Sequence, residues 1–236
     1  MHKFAFGKIY PEIEIVTKFQ DIENFEPKKA SIYNTYPVKL IGVEDINQIS
    51  LELFDDESDY GIILIDIYEV IKKTCFLKPV KLKKVNRNSV DIEAYLFGGS
   101  IGVTKAWKNY FSIGIKEYNL WKKLKPSERQ GWLELAISCQ NINFENLKTI
   151  IEIDGSDIKC YDDFYCALGE ALNGPGGYFG RNLDALADCI SSSEFGTKKL
   201  QKIVWKNSKK CKWKLKKNFK SILDIFSEYQ IEVELQ

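Results

Sequence analysis

Two aspartates one helical turn apart, Asp184 and Asp188, follow a stretch rich in glycine, Gly174-Pro-Gly-Gly-Tyr-Phe-Gly-Arg-Asn182. The spacing of Leu183, Leu186 and Ile190 predicts a helix over about 181–191, which puts both carboxylates on the face opposite the apolar stripe. Like charges at that separation cost a helix roughly 0.2–0.5 kcal/mol. The helix dipole compensates Asp184 in the first turn and does less for Asp188. Glu228 is a third misplaced acid, in the last turn of a helix predicted over 218–229, where the dipole disfavours an anion. Acids placed this way are either solvated surface groups, the usual fate of Asp and Glu, or a negative face kept for a cationic visitor. The glycines at 174, 176, 177 and 180 permit backbone shapes and close approaches denied to other residues. Tyr178 and Phe179 beside them offer rigid contact area, and one of the two rings is expected to pack inward.

The composition removes other chemistry. His2 is the sole histidine, so Ser-His-Asp and Cys-His catalysis and histidine zinc sites lack their central residue. The six cysteines, at 75, 139, 160, 166, 189 and 211, include no C-x-x-C pair; free thiols in a reducing cytoplasm are expected, with no metal and no cofactor. The opening residues meet Lys3 and Lys8 before any useful apolar run, and nothing approaches the roughly 18 apolar residues of a membrane helix. A cytoplasmic protein without a leader is therefore expected. Net charge is +1, from 34 bases and 33 acids, so only local charge can point to a partner. The densest local charge is Lys198, Lys199, Lys202, Lys206, Lys209, Lys210, Lys212, Lys214, Lys216, Lys217 and Lys220, interleaved with Trp205 and Trp213. That run reads either as a nucleic-acid surface or as a solvated face of a lysine-rich chain.

The elements that must position these residues divide at about 140. Strand patterns at 12–16, 38–40, 61–66 and 90–97, the last closed by Gly98-Gly99, make 1–140 a mostly-β or α+β unit. A helix at about 127–139 closes it, with Ser127 and Gln130 as a capping box and Trp132, Leu135, Ala136 and Cys139 on one face. In 141–236 the rhythm changes. A strand at 147–153, a helix at 162–173, the glycine loop, the helix at 181–191, a strand at 202–205, the helix at 218–229 and a strand at 231–235 alternate. Such alternation implies crossover connections and a small parallel sheet, so the chain is α/β in this half.

The segment Gly-Gly-Tyr-Phe-Gly-Arg-Asn-Leu-Asp-Ala-Leu-Ala-Asp-Cys189 resembles the signature of the barstar family of ribonuclease inhibitors. The resemblance spans about 147–236. It includes the Leu168-Gly-Glu-Ala-Leu172 helix before the loop and Ile222-Leu-Asp-Ile-Phe-Ser-Glu228 near the end. It implies a three-stranded parallel sheet with packed helices, and a loop and second helix that enter the active site of a ribonuclease in place of RNA phosphates. It further implies that Asp184 and Asp188 meet the nuclease's basic residues and that Glu228 adds a third charge. Tyr178 and Asn182 would be loop contacts, and Gly180 the link between loop and helix. Three positions depart from the founding member's pattern: Ala187 stands for tryptophan, Arg181 for glutamate and Phe179 for a second tyrosine. A different target nuclease is therefore expected.

The leading expectation is a cytoplasmic immunity protein that blocks a ribonuclease toxin and is not itself an enzyme. An acid/base enzyme using Asp184 and Asp188 is disfavoured, because both project from one helix face while such catalysis flanks its substrate. A nucleic-acid-binding regulator using the 198–220 lysines is the alternative.

Overall fold

The computed structural model describes residues 2–25, 34–52, 59–97, 99–113, 115–140, 148–195 and 200–236. Gly98, Leu147, Lys198 and Lys199, and the segment just after the expected junction at 140, lie outside the described residues. The chain forms two compact units, Met1–Gly114 and Ile115–Gln236.

The first unit is built on β1 (Phe4–Lys8), β2 (Glu14–Phe19), β3 (Asp21–Glu23), β4 (Tyr36–Ile41), α1 (Ile46–Glu52), β5 (Tyr60–Ile65), β6 (Ile71–Val85), β7 (Ser89–Phe97) and α2 (Val103–Ile113). Its sheet runs β2-β1-β5-β6-β7-β4-β3, every pair antiparallel. β2 and β3 are separated only by Gln20, so one extended stretch pairs with both ends of that order and the sheet closes on itself. β5 is a continuous apolar run buried along its whole length, with Ile63 and Ile65 clustered against Ala5, whereas β7 alternates. Phe4 stacks on Phe19 at 5.4 Å and Phe6 on Tyr60 at 5.3 Å within the core. Trp107 of α2 donates its indole N–H to the Lys3 carbonyl at 2.7 Å, fixing the helix to β1.

The second unit contains α3 (Arg129–Cys139), β8 (Ile150–Asp154), α4 (Tyr161–Asn173), α5 (Leu183–Ser191), β9 (Lys202–Lys206), α6 (Ser208–Leu215), α7 (Lys217–Glu228) and β10 (Glu232–Leu235). Its sheet is β10-β9-β8, both pairs parallel, the α/β arrangement expected for this half. The central strand buries Ile203 and Trp205, and Trp205 packs between Phe164 at 5.1 Å and Phe219 at 5.0 Å. An aromatic layer on a short sheet supplies the apolar area that three strands alone cannot.

The division at Gly114/Ile115 differs from the 140/141 boundary expected from sequence, and buried charge is the reason. Arg129, in the first turn of α3, donates to Asp163 of α4 at 2.7 Å, and both residues are buried. The same guanidinium donates to the Trp121 and Leu124 carbonyls and lies over the Trp121 ring. Asp163 also accepts the Lys159 N–H at 3.0 Å. The start of α3 is also capped differently: Glu128, not Gln130, reaches back to the Lys125 N–H at 2.7 Å, while Gln130 donates to Asp162 at 2.6 Å. Segment 115–140 therefore completes the C-terminal unit.

Removing one member of a buried ion pair costs about 3–5 kcal/mol because the other is left uncompensated. A fragment 115–236 is expected to melt cooperatively by circular dichroism. A fragment 141–236, which strips Arg129 from Asp163, should melt far lower or fail to fold. Equal melting temperatures would contradict this assignment.

Candidate partner-binding face

α5 begins where Asn182, in extended conformation, accepts the Ala185 N–H on its side-chain oxygen at 2.7 Å. This N-cap satisfies one of the four N–H groups that a helix start leaves free. Leu186 and Cys189 are buried beneath the helix, while Asp184 and Asp188 are exposed on its outer side. Among the described residues neither carboxylate has an ion-pair or hydrogen-bond partner. The role expected for Asn182 as a loop contact is accordingly narrowed: its oxygen is committed to the cap and only its amide N–H groups can face outward.

The glycine-rich loop leading into α5 is held from below. Gly174, with φ +82°, ends α4. Gly176 N–H donates to Glu170 at 3.2 Å and Tyr178 N–H to Gln140 at 2.7 Å, while the Asn173 amide donates to the Tyr178 carbonyl at 2.9 Å. A Cβ on Gly169 would stand 2.2 Å from the Gly177 carbonyl oxygen, so the loop crosses α4 backbone on backbone. Gly180, at φ +89°, takes the left-handed conformation that turns the chain into α5. Gly176 and Gly177 thus sit where a side chain would collide with the fold, while Gly174 and Gly180 supply positive φ, as a helix-to-helix turn requires.

Both aromatic rings of the loop turn inward, not one. Tyr178 is 3% exposed and Phe179 fully buried. The Tyr178 ring lies 6.0 Å from that of Phe195, and burial pushes its hydroxyl up to about 12. The resemblance assigned Tyr178 to direct contact; here its ring is buried beneath the loop, which the Gly169–Gly177 crossing draws down onto α4. Gly180 is buried likewise and shapes the turn.

Glu228 is exposed at the C-terminal end of α7, a helix that packs against α5. One turn earlier on the same stripe stands Asp224, also exposed, an acid not among the expected contacts although its i, i+4 spacing to Glu228 signals it. Both acids lie toward the end where the dipole is negative. Arg181, exposed just ahead of α5, is a cation beside the acids. Asp162 is half-buried and accepts from Gln130, and burial raises its pKa; it belongs to the scaffold. Gln140, Glu170 and Asn173, which hold the loop, carried no local signal in the sequence.

The acids stand on a convex helix face. A cleft of about 360 Å³ in the same unit is lined by Lys122, Glu152, Asp154, Asp157, Glu170 and neighbours, none of them from α5. Among the described residues no group of three or more His, Cys, Asp or Glu is placed to hold a metal ion. No described helix is long and apolar enough to cross a membrane.

Residues 148–236 match the family model described as Barstar (barnase inhibitor). The match covers the three-stranded parallel sheet and α4 to α7, so this domain is barnase-inhibitor-like; no family matches the chain before it. No curated protein matches the chain.

Gly→Ala inside a helix ordinarily stabilises by roughly 0.5–1 kcal/mol. Gly169→Ala is expected to do the reverse, lowering stability by about 1–3 kcal/mol through overpacking against the loop. Thermal or urea denaturation gives the sign, and a stabilised variant would show that the loop is not seated on α4.

Proposed function

We propose that this chain is an immunity-type inhibitor, not an enzyme, which blocks the active site of a ribonuclease toxin with the acidic face of α5. The observation that carries the reading is the pair Asp184 and Asp188, exposed, one turn apart and without partners among the described residues, within a domain that matches a barnase inhibitor family. A ribonuclease must present basic side chains to a phosphate. Two carboxylates on a rigid helix satisfy those cations and offer no bond to cleave. Glu228, from the helix packed against α5, adds a third charge, and the Asn182 amide is free to donate to the partner's backbone. Tyr178 and Gly180 act indirectly, by holding the loop so that α5 starts at a fixed angle.

Rigidity matters here because ordering a flexible loop on binding would subtract from affinity. Opposed charge speeds encounter and fixes register. Ala187, only part-exposed, offers little contact area beside Asp188, and Arg181 opposes the acids. A nuclease with an acidic group near its active-site rim fits this face better than one that is uniformly basic. An inhibitor of this kind acts in the cytoplasm, where the producer keeps the RNA that it protects.

The experiment is inhibition of cleavage of a fluorogenic RNA, with barnase as one probe and the product of the reading frame beside this gene as the other. Dose-dependent inhibition of at least one is expected. Truncating one side of a buried charge pair costs about 2–5 kcal/mol, a range whose reference case is this family's founding complex. Asp188→Ala should therefore weaken inhibition by a factor of roughly 30 or more. Glu152→Ala, which removes an exposed acid whose partner is the exposed Lys206, should change it by less than about threefold. Equal small effects, or no inhibition of either nuclease, would overturn the reading.

A further inference from the structure

Between Glu194 and Asp224 the chain has no acidic residue and eleven lysines. The described part of that stretch forms β9, α6 and the first half of α7. In α6, Ser208, Cys211 and Leu215 are buried, while Lys209, Lys210, Lys212, Trp213 and Lys214 are all exposed. At 100° per residue the exposed set spans an arc of about 200° with Trp213 near its middle. Lys216, at the left-handed junction (φ +52°), and then Lys217 and Lys220 extend the same charge onto α7. None of these lysines forms an ion pair with an acid among the described residues, whereas Lys202 and Lys206 on the sheet do.

This arrangement works against the fold. Lysines three and four apart, such as Lys210 and Lys214, repel along α6. Lys217 and Lys220 stand at the positive end of α7. Trp213 is 73% exposed although every other tryptophan of the chain is buried. Lys214 sits over one face of its ring, 4.6 Å from the centroid, so a cation lies directly against an aromatic surface that is otherwise largely open.

We infer that the α6 face binds single-stranded nucleic acid, with an unpaired base stacked on Trp213 and successive phosphates met by Lys209, Lys210, Lys212, Lys214 and Lys217. Lysine serves as a point charge for phosphate, and an open indole stacks any base because every base has a π-face. A membrane surface fits less well, since the apolar side of α6 is already spent on the domain core and leaves one ring to insert. Duplex fits less well because its bases are not free to stack. The inference is independent of the inhibitor reading: it uses none of Asp184, Asp188 or Glu228.

The test is fluorescence anisotropy of the full chain with labelled oligouridylate and oligodeoxythymidylate of about 12 nucleotides, within the site sizes such surfaces cover. A duplex of equal length and phosphatidylserine vesicles serve as the other arms. Binding of either single strand is expected to exceed that of duplex. It should fall with salt at a logarithmic slope of about −3.5 if the five lysines each neutralise one phosphate. Trp213→Ala, an exposed position that leaves the core intact, should weaken it about 5- to 150-fold. Lys210→Gln should lower the slope by about 0.7. Binding untouched by Trp213→Ala, equal binding of duplex, binding of vesicles alone, or no binding at low salt would each overturn the inference.

Discussion

Glu170 is the constraint on which the candidate face depends. It is a buried carboxylate in α4 that accepts from the Asn119 N–H at 2.8 Å, the Trp121 indole at 3.1 Å and the Gly176 N–H at 3.2 Å. Burial raises its pKa, and the N–H donors from the backbone and from Trp121 oppose that rise. One side chain thus joins the segment before α3, the helix α4 and the loop before α5. A polar network of this kind is worth having only when complete, and here the donors converge on both oxygens. The second tie, Arg129 to Asp163, fixes the same helix from its other end. The acids of α5 are presented by a frame that is held through buried charge, not by a flexible hinge.

The exposed charge of α7 has a logic of its own. Its outer stripe reads Lys217, Lys220, Asp224, Glu228, with cations at the positive end of the helix and anions at the negative end. Each such placement opposes the dipole, at about 0.3–1 kcal/mol where the charge is screened little. Reversing the stripe would favour the isolated helix at both ends. The acidic end lies on the helix that packs against α5, and the basic end continues the lysine arc of α6. Both surfaces therefore sit at positions where local stability alone would not put them, which supports assigning each to an external partner of opposite charge.

How much of this was legible depended on whether the signal was local. Asp184 and Asp188 could be placed on one face from the spacing of Leu183, Leu186 and Ile190, although the structure buries Leu186 and Cys189 and leaves Leu183 and Ile190 part-exposed. The three parallel strands could be read from alternation between short apolar runs and helical stretches. β6 was not legible: its lysines hide the alternation, and only Cys75 and Leu77 of its fifteen residues are buried. α6 was hidden for a like reason, since its inward residues are few and small among lysines. Tyr178 could not be placed, because an aromatic ring between glycines has the same sequence whether it faces a partner or the core. The join of 115–140 to the C-terminal unit rests on Arg129 meeting a residue 34 positions away, and no pattern within either segment announces it.

The central claim is that α5 occupies the place of a phosphate in a nuclease active site. It is tested most directly by asking whether the inhibitor and a 3′-mononucleotide exclude one another on the inhibited nuclease. The account predicts simple competition, with the apparent inhibition constant rising linearly with nucleotide concentration, as one plus the ratio of that concentration to the nucleotide's dissociation constant. A ternary complex, in which the nucleotide stays bound and the inhibition constant does not move, would contradict it.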